Sequence, residues 1–234
     1  MAKWLCAAVF GMIFLLAGAP TIANARDWSR SVVATPAGGY LIGNPKAPVK
    51  LIEYLSLTCP HCRHFNETGG PALKTGYVAK GQISYEIRNF VLNSADLAAS
   101  LLMRCAPPVQ AVKLMDGVFG DQEKLFAPIY TLTEEARQRV MAAPVNGRVA
   151  ILAKESGIDR WFVAHGLKPT QAAACLASDK GQAQLVSMRE EGVKKYAVDG
   201  TPSFSVNGAK VDGTSWEILE PAIKAALAAP KSGS

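Results

Sequence analysis

The 234-residue sequence is poor in the side chains that mark several large functional classes. It contains three histidines and one Cys-x-x-Cys motif. With no second Cys-x-x-Cys and no zinc-type histidine pair, Cys59, Cys62 and His64 cannot complete a tetrahedral metal site, so no metal is expected. His165 stands alone and reads as an exposed helix-end residue. Attached haem needs a histidine directly after the second cysteine, and Arg63 is there instead. The net charge of +6 is mild, and its basic residues are scattered. Lys194-Lys195 is balanced by Glu190-Glu191, which suits a solvated helix face better than a nucleic-acid stripe. No internal repeat is visible. After the amino-terminal stretch no apolar run is long enough to span a bilayer.

That amino-terminal stretch, residues 1–25, reads as a secretory signal. Lys3 supplies the positive start, Trp4 to Ala17 the apolar middle, and Ala23-Asn24-Ala25 the small-residue cleavage site before Arg26. No cysteine stands at the cleavage point, which argues against a lipid anchor. The mature chain is therefore expected to be a soluble, exported, periplasmic protein. Cleavage removes Cys6 and leaves four cysteines in a compartment where disulfides persist. Cys59 and Cys62 form one pair. Cys105 and Cys175 each fit the buried face of a helix, and they are either a structural bridge or two buried free thiols. The bridge is the expectation, worth ~2–4 kcal/mol if unstrained.

Cys59-Pro60-His61-Cys62 follows the apolar run Val49 to Leu55. A strand that ends where a helix begins places the Cys59 sulfur at a positive helix terminus, which favours its thiolate and its use as nucleophile. Cys62, one turn further in, is the more buried resolving thiol. His61 can place an imidazole beside the Cys59 sulfur and favour the anion. A purely structural disulfide is the competing reading, but so small a loop contributes little stability. Glu53 interrupts an apolar strand six residues before Cys59. It is either paired at the rim or buried with a raised pKa.

Around this motif the pattern is β, α, β, then helices, then β again. Ser31 to Val33 and Tyr40 to Ile42 read as short strands, Val49 to Leu55 as a buried strand, and Gln82 to Arg88 as a half-exposed one. Residues 95–180 shift to Ala, Leu, Met and Gln punctuated by prolines, which predicts a block of short helices. Helices are expected around Leu97 to Cys105, Val109 to Phe119, after Thr133, and through Val145 to Leu176. A longer helix from Lys180 to Tyr196 has Leu185, Met188, Val193 and Tyr196 as its inner stripe. Thr201 to Val206 and Ala209 to Val211 flank Asn207-Gly208 as a hairpin, and Ser215 to Leu227 closes the chain as a helix. The predicted fold is α/β: residues 26–94 and 181–230 form one domain, split by an all-helical insertion. Residues 231–234 are expected to be a disordered tail.

An exported chain with a strand, Cys-Pro-His-Cys on a helix, an inserted helical block and then Thr-Pro-x-Phe-x-Val-Asn-Gly resembles the DsbA family of thiol-disulfide oxidoreductases on a thioredoxin fold. The resemblance covers Val49 to Leu227. It implies a monomeric dithiol oxidase that passes the Cys59–Cys62 disulfide to reduced client proteins, with Cys59, Pro60, His61, Cys62 and Glu53 as its catalytic set. It implies that Glu53 ferries protons to and from Cys62. It implies that Pro202 is cis and that the Thr201 backbone pairs with an extended client strand; the alternative is an ordinary trans Thr-Pro opening an edge strand. Thr201 departs from the valine common in the best-known oxidases of the family. Regeneration would come from a membrane DsbB-like, quinone-linked partner, and no prosthetic group is implied. An isomerase or reductase of the same fold, and a peptide-binding chaperone module that needs neither sulfur, are the competing functions.

Overall fold

The computed structural model describes residues 26–230. The expected secretory signal and the expected tail lie outside the described residues. Six strands form one mixed sheet: β1 (Val32–Ala34), β2 (Tyr40–Gly43), β3 (Val49–Leu55), β4 (Ile83–Asn89), β5 (Ser203–Val206) and β6 (Ala209–Lys210). Their spatial order is β1-β2-β4-β3-β5-β6. Only β3 and β4 run parallel, with Glu53 opposite Ile87 and Leu55 opposite Asn89. Between them the chain crosses over through α1 (Pro60–Thr68) and α2 (Gly70–Leu73), which continues into a π-turn at Lys74–Val78. β5 pairs antiparallel to the other side of β3. The central strand thus ends beside the carboxyl end of β4 and the start of β5, where Cys59 and Pro202 meet.

The period of two along β3 sorts its side chains. Val49, Leu51, Glu53 and Leu55 point to one face, and Leu51 and Leu55 join Cys62 and Phe65 of α1 in the main core. Tyr54 points to the other face and packs with Phe90, Met188 and Val198. Glu53 is therefore placed in the interior by strand register itself. β4 differs from the half-exposed strand predicted from its alternation, since almost all of its residues are buried. Flanked by β2 and β3 and covered on the Tyr54 face by the helix that ends at Tyr196, it has no solvent side. Its polar residues are satisfied internally: Arg88 pairs with Glu86 at 3.0 Å and with Glu191 at 3.3 Å, and donates to the Tyr54 hydroxyl.

Between β4 and β5 lies the helical insertion: α3 (Ser94–Arg104), α4 (Pro108–Gly120), α5 (Gln122–Tyr130), α6 (Glu134–Ala142), α7 (Arg148–Ser156), α8 (Ile158–Ala164) and α9 (Pro169–Leu176), followed by α10 (Asp179–Tyr196). Local chemistry sets the starts. Asn93, Thr133 and Ser178 cap α3, α6 and α10 through side-chain oxygens, and proline opens α4 and α9. α3 forms the insertion's centre, with Ala98, Leu101, Leu102 and Met103 buried. Cys105, at the end of α3, is bonded to Cys175 on α9 across 70 residues, with a Cα–Cα distance of 6.1 Å. Both cysteines are half-buried and not on fully buried faces as the helical spacing predicted.

The inner stripe of α10 also differs from expectation. Leu185 and Met188 are buried, but Val193 is exposed and Gly192 takes the inward position. A Cβ at Gly192 would lie 2.9 Å from the Tyr54 ring, so glycine lets the helix approach the sheet. At the chain's end α11 (Trp216–Ala228) buries Leu219 and Ile223 against the main core. Asn207 and Gly208 both have positive φ in the β5–β6 turn, as the Asn-Gly signal predicts. Among the described residues no helix is long and apolar enough to cross a membrane.

Candidate active site

β3 ends at Leu55 and α1 begins at Pro60, so Ser56-Leu57-Thr58-Cys59 must turn the chain from strand to helix in four residues. Cys59 is the helix N-cap, with φ −83° and ψ 120°, and Pro60 supplies a first helical residue that has no N–H to satisfy. The Cys59 and Cys62 thiols are unbonded to each other and buried. Their chemistry is opposed. The Cys59 pKa is lowered to about 5, first by the hydrogen bond from the Cys62 side chain, with further donation from Thr201 and from the backbone N–H groups of Cys62 and His61, against an opposing effect of burial. Cys62 is pushed well above the usual thiol range by burial, by the Cys59 hydrogen bond and by the charge of Glu53. One sulfur is disposed to ionise and its neighbour to stay protonated.

His61 enters differently from the expectation. Its side chain is exposed and makes no hydrogen bond among the described residues; the backbone N–H is the part that favours the Cys59 anion. The backbone N–H groups at the helix terminus supply positive potential to the Cys59 sulfur. Pro60 is exposed beside it.

The loop before β5 completes the site. The Thr201–Pro202 peptide bond is cis, and the Cys59 thiol donates to the Thr201 carbonyl at 3.1 Å. The Thr201 hydroxyl is buried without a partner while Cys59 is a thiol, and it is free to donate once the sulfur is ionised. Lys210 of β6 fixes the approach to this loop through the Ala197 carbonyl and the Asp199 carboxylate. A cleft of about 350 Å³ lined by Thr201, Pro202, Lys210 and Thr214 opens beside it.

Beneath the sulfurs lies Glu53, 2 % exposed. Burial raises its pKa to about 7, against the opposing hydrogen bond from the Tyr85 hydroxyl and the charge of Lys74. Tyr85 is itself pushed well above its ordinary value, first by burial and then by Glu53. Sequence reasoning found Glu53 but not Tyr85, whose role depends on β4 lying next to β3 with Tyr85 opposite Leu51.

Two further residues were missed. Asp96, fully buried in the first turn of α3, accepts the Leu57 and Leu92 backbone N–H groups at 3.0 Å each and a bond from Ser100. Its pKa is raised to about 6 by burial, against those hydrogen bonds. Gln122, the first residue of α5, donates its amide to the carbonyls of Leu57 and Cys59. The spacing Asn93-x-x-Asp96 is a helix-start signal from which Asp96 could have been singled out; nothing in the sequence singles out Gln122.

Comparison with known proteins agrees with this arrangement. The Thioredoxin family model matches residues 35–225. The crystal structure of a protein-disulfide isomerase from Novosphingobium aromaticivorans is 33% identical, covers 81% of this chain and 97% of its own, and superposes with a TM-score of 0.74. Wolbachia pipientis alpha-DsbA1 shares the fold at 23% identity and a TM-score of 0.64, covering 82% of this chain and 92% of its own. A Rickettsia prowazekii relative, provisionally named a protein-disulfide oxidoreductase, is 29% identical over 187 residues, or 80% of this chain. The chain spans 61% of that relative's length.

Proposed function

The chain belongs to the thioredoxin family, and from that membership we propose that it is an exported dithiol oxidase that donates the Cys59–Cys62 disulfide to client proteins. A client thiolate attacks the Cys59 sulfur, the Cys59–Cys62 bond breaks, and Cys62 leaves as a thiolate that takes a proton from Glu53. A second client thiolate then attacks the client sulfur of the mixed disulfide and releases Cys59 as its stable thiolate. Two electrons pass from the client to the pair, and the client gains one disulfide. The single observation that supports this direction is the placement of Cys59 at the start of α1, where the Cys62 thiol and the backbone N–H groups of Cys62 and His61 lower its pKa to about 5, while burial raises Cys62. An anion that is stabilised only in the reduced state makes the disulfide the better oxidant.

The extended client segment pairs with the Thr201 backbone next to Cys59. Clients are reduced, secreted polypeptides, and a membrane DsbB-like, quinone-linked oxidase restores the disulfide. The protein acts as a monomer in the periplasm. A second reading is favoured by the solved relative named as a protein-disulfide isomerase. An isomerase uses the same residues but rests in the reduced state.

Equilibration of the Cys59–Cys62 pair with glutathione buffers tests the assignment. An oxidase gives a strongly oxidising constant and a thiolate absorbance midpoint near pH 5. A thioredoxin-like constant with an alkaline midpoint rejects oxidation and leaves reduction or isomerisation. Cys59→Ser, which abolishes thiol exchange, leaves a pure peptide binder active.

A further inference from the structure

We infer that Gln122 is a positioning residue for the Cys59 thiolate, through which the helical insertion fixes the backbone that presents the sulfur. This rests on the oxidoreductase reading above and assigns a part of the site to the insertion. Gln122 is 5 % exposed, and its single amide nitrogen donates to the Leu57 carbonyl at 2.8 Å and to the Cys59 carbonyl at 3.0 Å. Both amide hydrogens are thus used on the two carbonyls that bracket Thr58. From the opposite side Asp96 accepts the Leu57 N–H. The Leu57 residue is therefore held at its donor and at its acceptor by side chains of the insertion.

That grip acts where the backbone has least support of its own. The β3 ladder ends at Leu55, paired with Asn89 of β4, and the first helical bond runs from the Arg63 N–H to the Cys59 carbonyl at 3.2 Å. Between them the turn has the bond from the Cys59 N–H to the Ser56 carbonyl, also at 3.2 Å. Thr58 is held through side chains, by Ser56 and Asn93.

Two carbonyl dipoles close to the nucleophile work against a negative sulfur. Donation from Gln122 offsets their negative ends and keeps them directed at α5, so that the N–H groups of His61 and Cys62 are left facing the sulfur. Gln122 is itself fixed: the indole N–H of Trp161 on α8 donates to Asp121, the residue before it, at 2.8 Å. A buried amide directed at two carbonyls of another segment is costly unless both bonds are made, which ties the side chain to this geometry.

The test compares Gln122→Met, similar in volume but without donors, and Gln122→Glu with the wild type and with Leu125→Ala. Leu125 is buried on the same helix, one turn on, and its side chain has no hydrogen-bonding group. Each full-length, reduced protein is read for melting temperature, for the midpoint of the thiolate absorbance and for its equilibrium with glutathione. Both Gln122 variants should raise the midpoint by about one unit and weaken the oxidising equilibrium up to ~10-fold at pH 7. Leu125→Ala should lower the melting temperature and leave midpoint and equilibrium in place. Gln122 variants that melt earlier with an unchanged midpoint would reduce the residue to ordinary packing and overturn the inference. So would a Leu125→Ala midpoint that moves as far. An alkaline midpoint in the wild type would instead reject the oxidase reading itself.

Discussion

The hydroxyl of Tyr85 donates a hydrogen bond to the carboxylate of Glu53, joining adjacent parallel strands at a carboxyl whose charge acts on Cys62. Both side chains are fully enclosed, and the pair is where the buried end of the redox site meets the sheet. Donation favours the ionised carboxylate, while burial favours the acid, and burial is the larger effect. Tyr85→Phe removes the opposing donor. The Glu53 titration, followed by NMR of the labelled carboxyl, should then move above about 7, and an unchanged midpoint would show the bond to be without influence.

Glu53 also writes a pH dependence into stability. Its pKa rises from 4.5 to about 7 on folding, so between those values the native chain keeps a proton that the unfolded chain releases. Stability therefore falls as pH rises through this window and levels off above it. Glu53→Gln carries no such cost. The variant should match the wild type near pH 4 and be more stable by roughly 3 kcal/mol above pH 8, as read by urea unfolding at a series of pH values. A constant offset across pH would contradict the assignment.

The half-buried bridge between Cys105 and Cys175 ties α3 to α9 within the insertion. Replacing both by serine should lower stability by about 2–4 kcal/mol, because the unfolded chain loses a long closed loop. The glutathione equilibrium of Cys59–Cys62 should stay as in the wild type. A change in that equilibrium would mean that the insertion transmits strain to the site through this bond.

On α10, substitution by alanine distinguishes two neighbouring residues. Gly192→Ala forces a Cβ to 2.9 Å from the Tyr54 ring and should cost about 1–3 kcal/mol, whereas Val193→Ala, on the exposed face, should cost less than about 0.5 kcal/mol. Equal losses in thermal melts would restore Val193 to the inner stripe.

That contrast shows what kind of information the chain carries openly. β3, the Cys-Pro-His-Cys helix start and the Asn207-Gly208 turn are legible because each depends on period, caps or turn residues within a few positions. The proposed nucleophilic role of Cys59 rests on the same local rules. Gly192 was passed over because hydrophobic periodicity scores side chains, and here the packing partner is a missing one. Helix α5 escaped because Pro128 lies inside it and interrupts the pattern. Tyr85, Asp96 and Gln122 share another reason. Each acts across 32 or more residues of sequence on a partner set only by the tertiary arrangement.

The same thiolate that gives Cys59 its proposed role should give the two redox forms different pH responses. In the reduced protein the Cys59 pKa falls from 9.0 to about 5, so folding is favoured by ionisation: the contribution is complete above the unfolded value and is lost as pH falls through 5. The oxidised form has no such thiol to titrate. The stability of the reduced form relative to the oxidised one should therefore grow with pH, most cleanly near about pH 8 to 8.5, where Glu53 has finished titrating. The slope is ~1.4 kcal/mol per pH unit wherever the native sulfur is ionised and the unfolded thiol is not, because it is fixed by one proton. Loop closure by the disulfide opposes this by an amount that does not depend on pH, so the slope identifies the thiolate even where the absolute order of stabilities does not. Paired unfolding curves whose difference stays flat from pH 6 to 8.5 would show that the sulfur is not held as an anion, and the redox direction argued from it would fail.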